Sequence, residues 1–184
     1  LLSYVGDELI KDTAFIGSTP SICHHNGEHI IINRRFVNYK IDKNGNYENR
    51  EKIITKNVFA CYDHNLQKKD TRVLNYNTEH NGYYEGLEDI RLLSHKGRLL
   101  YNANRSVASN MVIEHGEIVA NGTTCECLLK KENQNPIEKN WVLFSDANEN
   151  LKCIYKWHPL TIGSLDDGRF VNIQSISSPL SFRD

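Results

Sequence analysis

The sequence predicts an all-β chain. Three observations carry this reading: a dozen short runs rich in β-branched and aromatic residues, polar turns of Gly, Asn and Asp between them, and very little apolar recurrence at helical spacing. The first two strands are expected at residues 21–24 and 29–39, joined at Asn26-Gly27, a pair suited to the positive φ of a tight hairpin. Asp42-Lys43-Asn44-Gly45 turns the chain again before strands at 53–63 and 72–76. Strands at 87–94 and 98–103 are joined through His95-Lys96-Gly97, and His115-Gly116 reads as a turn between 110–114 and 117–121. A run at 125–130 follows, then 141–145 and 151–158 joined by Asp146-Ala147-Asn148, and finally 170–176. Only residues 7–11 have a brief helical character.

Strand periodicity leaves a sandwich, a barrel and a propeller open. A loose recurrence favours the propeller: a strand pair with a polar tip, a longer connection, then the next pair. At roughly 40 to 50 residues per four-stranded blade the chain has room for three to four blades.

Composition sets the frame. A chain of 184 residues with 39% apolar and 24% charged residues and four prolines is expected to form one domain, residues 1–184, with a substantial core. The net charge of -1 gives no chain-wide attraction for nucleic acid or an anionic membrane, and the basic clusters Asn33-Arg34-Arg35 and Gln67-Lys68-Lys69 are short. The longest apolar run, around Ile30-Ile31-Ile32, is strand-sized, against the roughly 20 residues a membrane helix needs. A soluble chain with neither nucleic acid nor membrane as partner is the expectation; oligomeric state is not legible. Five cysteines, an odd number without a disulfide rhythm, favour a reducing, cytoplasmic compartment. Cys125-Glu126-Cys127 lacks the second pair that a zinc site requires, so no metal is expected. His24, His25 and His29 flank a hairpin tip. The sequons at Asn104 and Asn121 matter only in a secretory protein.

The chemistry concentrates in Gly86-Leu87-Glu88-Asp89-Ile90-Arg91, two adjacent carboxylates and an arginine in a strand-forming run. Burying that much charge is costly unless each group is paired or used. Strict alternation would point Asp89 and Arg91 to one face, and Glu88 with Ile90 to the other. A structural ion pair and a catalytic pocket are both open on this motif.

The order Thr19-Pro20-Ser21-Ile22, Ile31-Ile32-Asn33-Arg34-Arg35, Gly86-Leu87-Glu88-Asp89-Ile90-Arg91, Glu138-Lys139-Asn140-Trp141-Val142-Leu143-Phe144 and Tyr155-Lys156-Trp157-His158-Pro159 resembles the five-bladed β-propeller glycosidase family of the β-mannoside phosphorylases. The likeness spans most of residues 19–160, and the E-D-x-R element is its most specific part. Ile90 stands where that family has proline, and Thr19 where it has asparagine. The resemblance implies inverting phosphorolysis or hydrolysis of β-linked mannosides or related glycosides, with Asp89 as general acid, an oligosaccharide or glycan as partner, and inorganic phosphate as the one co-substrate in place of a cofactor. It assigns Arg35 and Lys139 to the oxyanion, and Glu88 to sugar hydroxyls or to orienting Asp89. Arg91, Asn104, Trp141 and His158 complete the expected substrate-binding set, with Arg105 a further cation and Trp157, Tyr83 and Tyr84 further aromatics for stacking on sugar rings. A chain this short falls below five blades, so the domain is expected to be incomplete at its C-terminal end, with residues 178–183 opening a further segment. The alternatives are transfer from a sugar phosphate, and a non-catalytic glycan-binding or structural propeller.

Overall fold

A computed structural model describes residues 15–27, 29–48, 51, 53–76, 82–132 and 134–177. Among these the chain forms fifteen strands and no α-helix, so the all-β expectation holds. The strands are β1 (Ile16–His25), β2 (His29–Val37), β3 (Lys40–Ile41), β4 (Tyr47–Glu48), β5 (Ile53–Asp63), β6 (Lys68–Val73), β7 (Tyr84–Glu85), β8 (Leu87–His95), β9 (Arg98–Val107), β10 (Asn110–Val119), β11 (Gly122–Lys131), β12 (Val142–Ser145), β13 (Leu151–Trp157), β14 (Leu160–Asp166) and β15 (Arg169–Ile176). Among the described residues no helix is long and apolar enough to cross a membrane.

Three antiparallel meanders of four strands make up the fold. The first runs β1-β2-β5-β6, with β7 added in parallel at the start of β5 and β3-β4 as a small hairpin between β2 and β5. The second is β8-β9-β10-β11 and the third β12-β13-β14-β15. These two join into one eight-stranded sheet because Lys130 and Lys131 of β11 pair in parallel with Arg169 and Phe170 of β15. Its end strands, β12 and β8, touch, so the sheet is nearly closed and barrel-like, and β1 packs against β8 from the first meander.

The core follows from this layering. Ile31 and Phe59 of the first meander meet Leu87, Ile90 and Tyr101 of the second. A second cluster gathers Ile113, Leu129, Leu143 and Phe170 around Trp141, whose ring is fully buried and meets Tyr155 and Phe170 edge-on at 5.2 and 5.7 Å. Each such aromatic pair contributes about 1 kcal/mol beyond the area it buries. β5 is central in its sheet, and Val58, Phe59 and Ala60 are buried in succession because both of its faces are covered.

One turn recurs three times. In Asp42–Asn46, Asp63–Gln67 and Asp146–Asn150 the aspartate Oδ1 accepts hydrogen bonds from the backbone N–H groups two and four residues on, at 2.8–2.9 Å. The fourth position takes a left-handed conformation, at Gly45, Leu66 and Glu149. The sequence shows the pattern as Asp-x-Asn-x-Asn or Asp-x-Asn-x-Gln.

Three strand expectations need correction. His115-Gly116 is not a turn: β10 runs unbroken, with its register to β11 slipping at that step. Gly116 is there because a Cβ would meet the Thr124 carbonyl oxygen at 1.9 Å. Residues 160–166 form β14, hidden in the sequence by Gly163, which is a close-approach position where a Cβ would lie 2.3 Å from the Val171 oxygen. The strand expected at 72–76 is β6, ending at Val73, since Leu74 turns its N–H to the Asn57 carbonyl and enters the core. Residues 7–11 and 178–183 lie outside the described residues.

Candidate functional site

The approach to β8 is fixed before any charged residue appears. Gly86 has φ +94°, and a Cβ there would sit 2.4 Å from the Thr55 carbonyl oxygen, so only glycine lets the chain pass β5 this closely. Leu87 is then pinned: its carbonyl accepts the Asn57 Nδ2–H at 2.9 Å, and Asn57 Oδ1 accepts from Asn33 at 3.0 Å. Both asparagines are fully buried. Sequence reasoning misses this network, although two asparagines inside apolar runs, where strands disfavour them, are its signal.

Alternation fails at the next step. Glu88 pairs with Asn104 and Arg91 with Asn102, so Asp89 and Ile90 together face Ala103 alone, a β-bulge with Asp89 at φ +53°. Ile90 keeps its place in the core. The two carboxylates do not point apart as expected but converge on Arg35, which is 5% exposed at the end of β2. Arg35 Nη2 donates to Glu88 Oε1 at 2.5 Å, Nη1 to Asp89 Oδ1 at 3.2 Å and Nε to Thr55 Oγ1 at 3.0 Å. One guanidinium therefore engages all three of its nitrogens inside the cluster.

Strict alternation puts Arg91 on the face of Asp89, and this too fails. Its Nη1 instead donates to the Asp89 backbone carbonyl at 3.3 Å, and its Nη2 to Asn140 Oδ1 at 3.2 Å. Asn140, itself left-handed at φ +65°, thereby ties the 138–140 segment onto β8. Lys139 is exposed beside it, and its charge acts on Glu88. Burial pushes the Glu88 carboxyl above the usual range; Arg35 opposes this, Asp89 reinforces it, and Lys139 opposes it more weakly.

The remaining expected residues divide. Asn104 is buried directly opposite Glu88, and its Oδ1 has no hydrogen-bond partner among the described residues. Trp141 is excluded from stacking on a ligand: it is wholly enclosed, with Nε1 donating to Glu138 Oε2 at 3.1 Å. Tyr84 is buried too, its hydroxyl without a partner among the described residues and raised in pKa by burial and then by Glu88. Tyr83 is half exposed and donates to the Ser109 carbonyl; Trp157 is exposed. Arg105 is ion-paired with Glu114, which also accepts from the Tyr101 hydroxyl at 2.5 Å. His158 stands on the exposed turn between β13 and β14. Among the described residues no three His, Cys, Asp or Glu side chains converge as a metal site would need.

The arrangement brings together Arg35, Glu88, Asp89, Arg91 and Lys139 at the end of the strands where β2 finishes and β8 begins. Comparison with family models, with curated proteins and with solved structures gives no match to this chain.

Proposed function

We propose that the three meanders are blades of a β-propeller and that the cluster around Arg35 processes carbohydrate, cleaving β-linked mannosides or related glycosides by inverting phosphorolysis or hydrolysis. Support for the blades is the threefold use of a four-stranded antiparallel meander, with the leading strands β1, β8 and β12 in contact through β8. The observation that carries the functional reading is the bulge at Asp89. A non-glycine residue held left-handed so that two carboxylates meet one buried guanidinium is strained, and such strain concentrates at functional sites.

In this reading Asp89 delivers the proton to the leaving oxygen and phosphate or water attacks the opposite face of the sugar. Arg35 and Thr55 hold the Asp89 and Glu88 carboxyls in place. Glu88, raised in pKa by burial, binds sugar hydroxyls as a proton-sharing partner. Lys139 at the rim supplies the cation for an incoming anion. Asp89→Asn is expected to abolish release of sugar or sugar 1-phosphate from a panel of β-linked manno-oligosaccharides, assayed with and without inorganic phosphate, while the circular dichroism spectrum stays native. Undiminished release by that variant removes Asp89 from the mechanism and the reading with it.

A second reading has its own observation. The bonds from Arg35 to Glu88, Asp89 and Thr55 close the cluster on itself, as a structural ion cluster would, which favours a glycan-binding or structural propeller without turnover. Glycan affinity with no product on the same panel selects it.

A further inference from the structure

Some cations of this chain are held by carboxylates. Arg35, Lys69, Arg72, Arg98, Arg105 and Lys152 all form ion pairs. Four others line one surface groove. Where β11 pairs with β15, Lys130, Lys131 and Arg169 border a cleft of about 510 Å³, and a second of about 370 Å³ continues past Lys156; Lys131, Glu132 and Phe170 line both. None of the four cations forms an ion pair among the described residues. Glu132 is the single carboxylate among the described residues that line the groove, while Asp166 and Asp167 close the β14–β15 turn beside Arg169 without lining it.

One side chain links the groove to the segment that carries Lys139. Tyr155 walls the groove, and the Tyr155 hydroxyl donates to Glu138 Oε1 at 3.4 Å, one residue from Lys139. Its polar wall consists of short hydroxyl and amide groups, Thr161, Asn172 and Ser175. Neither aromatic ring offers a free face: Lys131 and Lys156 ammonium groups lie 4.9 and 5.8 Å from the Tyr155 centroid, and Phe170 is packed on Trp141. Base stacking, on which single-stranded nucleic acid depends, has no platform here. A chain that brings its own hydroxyls and regularly spaced negative charge fits the lining better.

We infer that this groove binds an acidic saccharide, a β-linked chain carrying uronate carboxylates, beside the segment that carries Lys139. The choice of saccharide rests on the carbohydrate reading above; the choice of an anion rests on the groove alone. The full chain is titrated calorimetrically with a β-1,4-linked mannuronate hexamer, with neutral mannohexaose, and with single-stranded DNA of equal charge. The expected result is mannuronate binding at least about tenfold tighter than mannohexaose at low salt, with the preference shrinking as ionic strength rises through the range where the Debye length falls below about 10 Å. Lys130→Ser/Arg169→Ser and Lys131→Ser/Lys156→Ser should each weaken mannuronate about tenfold, because each pair of substitutions removes half of the groove's positive charge, with melting temperatures near that of the parent. Equal affinity for the neutral hexamer, no binding of either saccharide, or variants that bind mannuronate as the parent does would each overturn the inference. DNA binding tighter than mannuronate would overturn it in favour of a nucleic-acid surface. Turnover of neutral mannosides is scored separately: its absence with mannuronate still bound sinks the catalytic reading and leaves the groove standing.

Discussion

Removing Arg35 is the sharpest perturbation of this molecule, because one side chain compensates two carboxylates. The side chains of Arg35, Glu88 and Asp89 are 6%, 17% and 23% exposed, so replacing Arg35 by Met leaves a like-charged pair with little access to water. Breaking a buried pair typically costs about 3–5 kcal/mol; the residual exposure of the carboxylates places this case at about 3 kcal/mol. Against a total stability of roughly 5–15 kcal/mol, that loss is large. Its pH dependence is diagnostic. Glu88 is already raised by burial, with Arg35 holding it down, so the variant raises it further. A carboxyl whose folded pKa lies above its unfolded one binds more protons when folded, and stability then falls as pH rises through that window. The penalty for Arg35→Met should therefore be greatest above the raised Glu88 value and shrink on acidification as Glu88 takes up a proton. Urea unfolding followed by Trp fluorescence measures it, since Trp141 is enclosed in the fold. Adding Glu88→Gln to Arg35→Met should restore more than half of the loss. A penalty under about 1 kcal/mol, or one that grows on acidification, refutes the ion-cluster account.

Two further outcomes follow from backbone geometry. Gly86→Ala places a methyl 2.4 Å from the Thr55 carbonyl at φ +94°, so it should cost about 3 kcal/mol from strain and overpacking together, seen as a lower urea midpoint and loss of any activity that depends on Glu88. In the recurring turn, Leu66 is 64% exposed at φ +60°, so Leu66→Gly should stabilise by about 1 kcal/mol in the same assay; no gain would show that the left-handed position carries no strain. Hydrogen bonds from the backbone lower the Asp42 and Asp146 pKa values, and the Lys69 side chain followed by the backbone does so for Asp63. The support of these turns is thus complete above the unfolded aspartate range and is lost as pH falls through the depressed values, which carboxyl NMR titration of the three aspartates would detect.

How far the sequence reveals this fold depends on how local the signal is. Residues 53–63 are legible as a strand, with the observed bounds, because β-branched and aromatic residues fill the run and turn residues flank it. Residues 160–166 and His115-Gly116 mislead for one shared reason. A glycine signals a turn in sequence, whereas Gly163 and Gly116 serve a neighbouring strand's backbone that approaches too closely for any Cβ. That demand is set by the slipped register with the next strand, at Thr124 and Val171, so the residue pattern around each glycine does not report it. The buried role of Trp141 is hidden likewise, since enclosure by Phe170 and Tyr155 is a tertiary fact.

The candidate site shows the same division at finer scale. Glu88, Asp89 and Arg35 are legible as charged residues in strand contexts and Lys139 as a charged residue just ahead of one, and the fold does bring them together. Their relative orientation is not legible, because it depends on one bulge. Period-two alternation assumes that each residue of β8 faces one residue of β9, and Asp89 violates that assumption. Without the bulge, Glu88 and Asp89 would lie on opposite faces and Arg35 could pair with only one of them. With it, Ile90 still reaches the core while both carboxylates meet the guanidinium, so a single left-handed residue reconciles a buried apolar face with a charged cluster. Of the residues that stabilise that compromise, Thr55 holds the Arg35 guanidinium, whereas Gly86, Asn57 and, through Asn57, Asn33 act on the backbone leading into it, so that substituting any of these three should disturb the site without touching a charge.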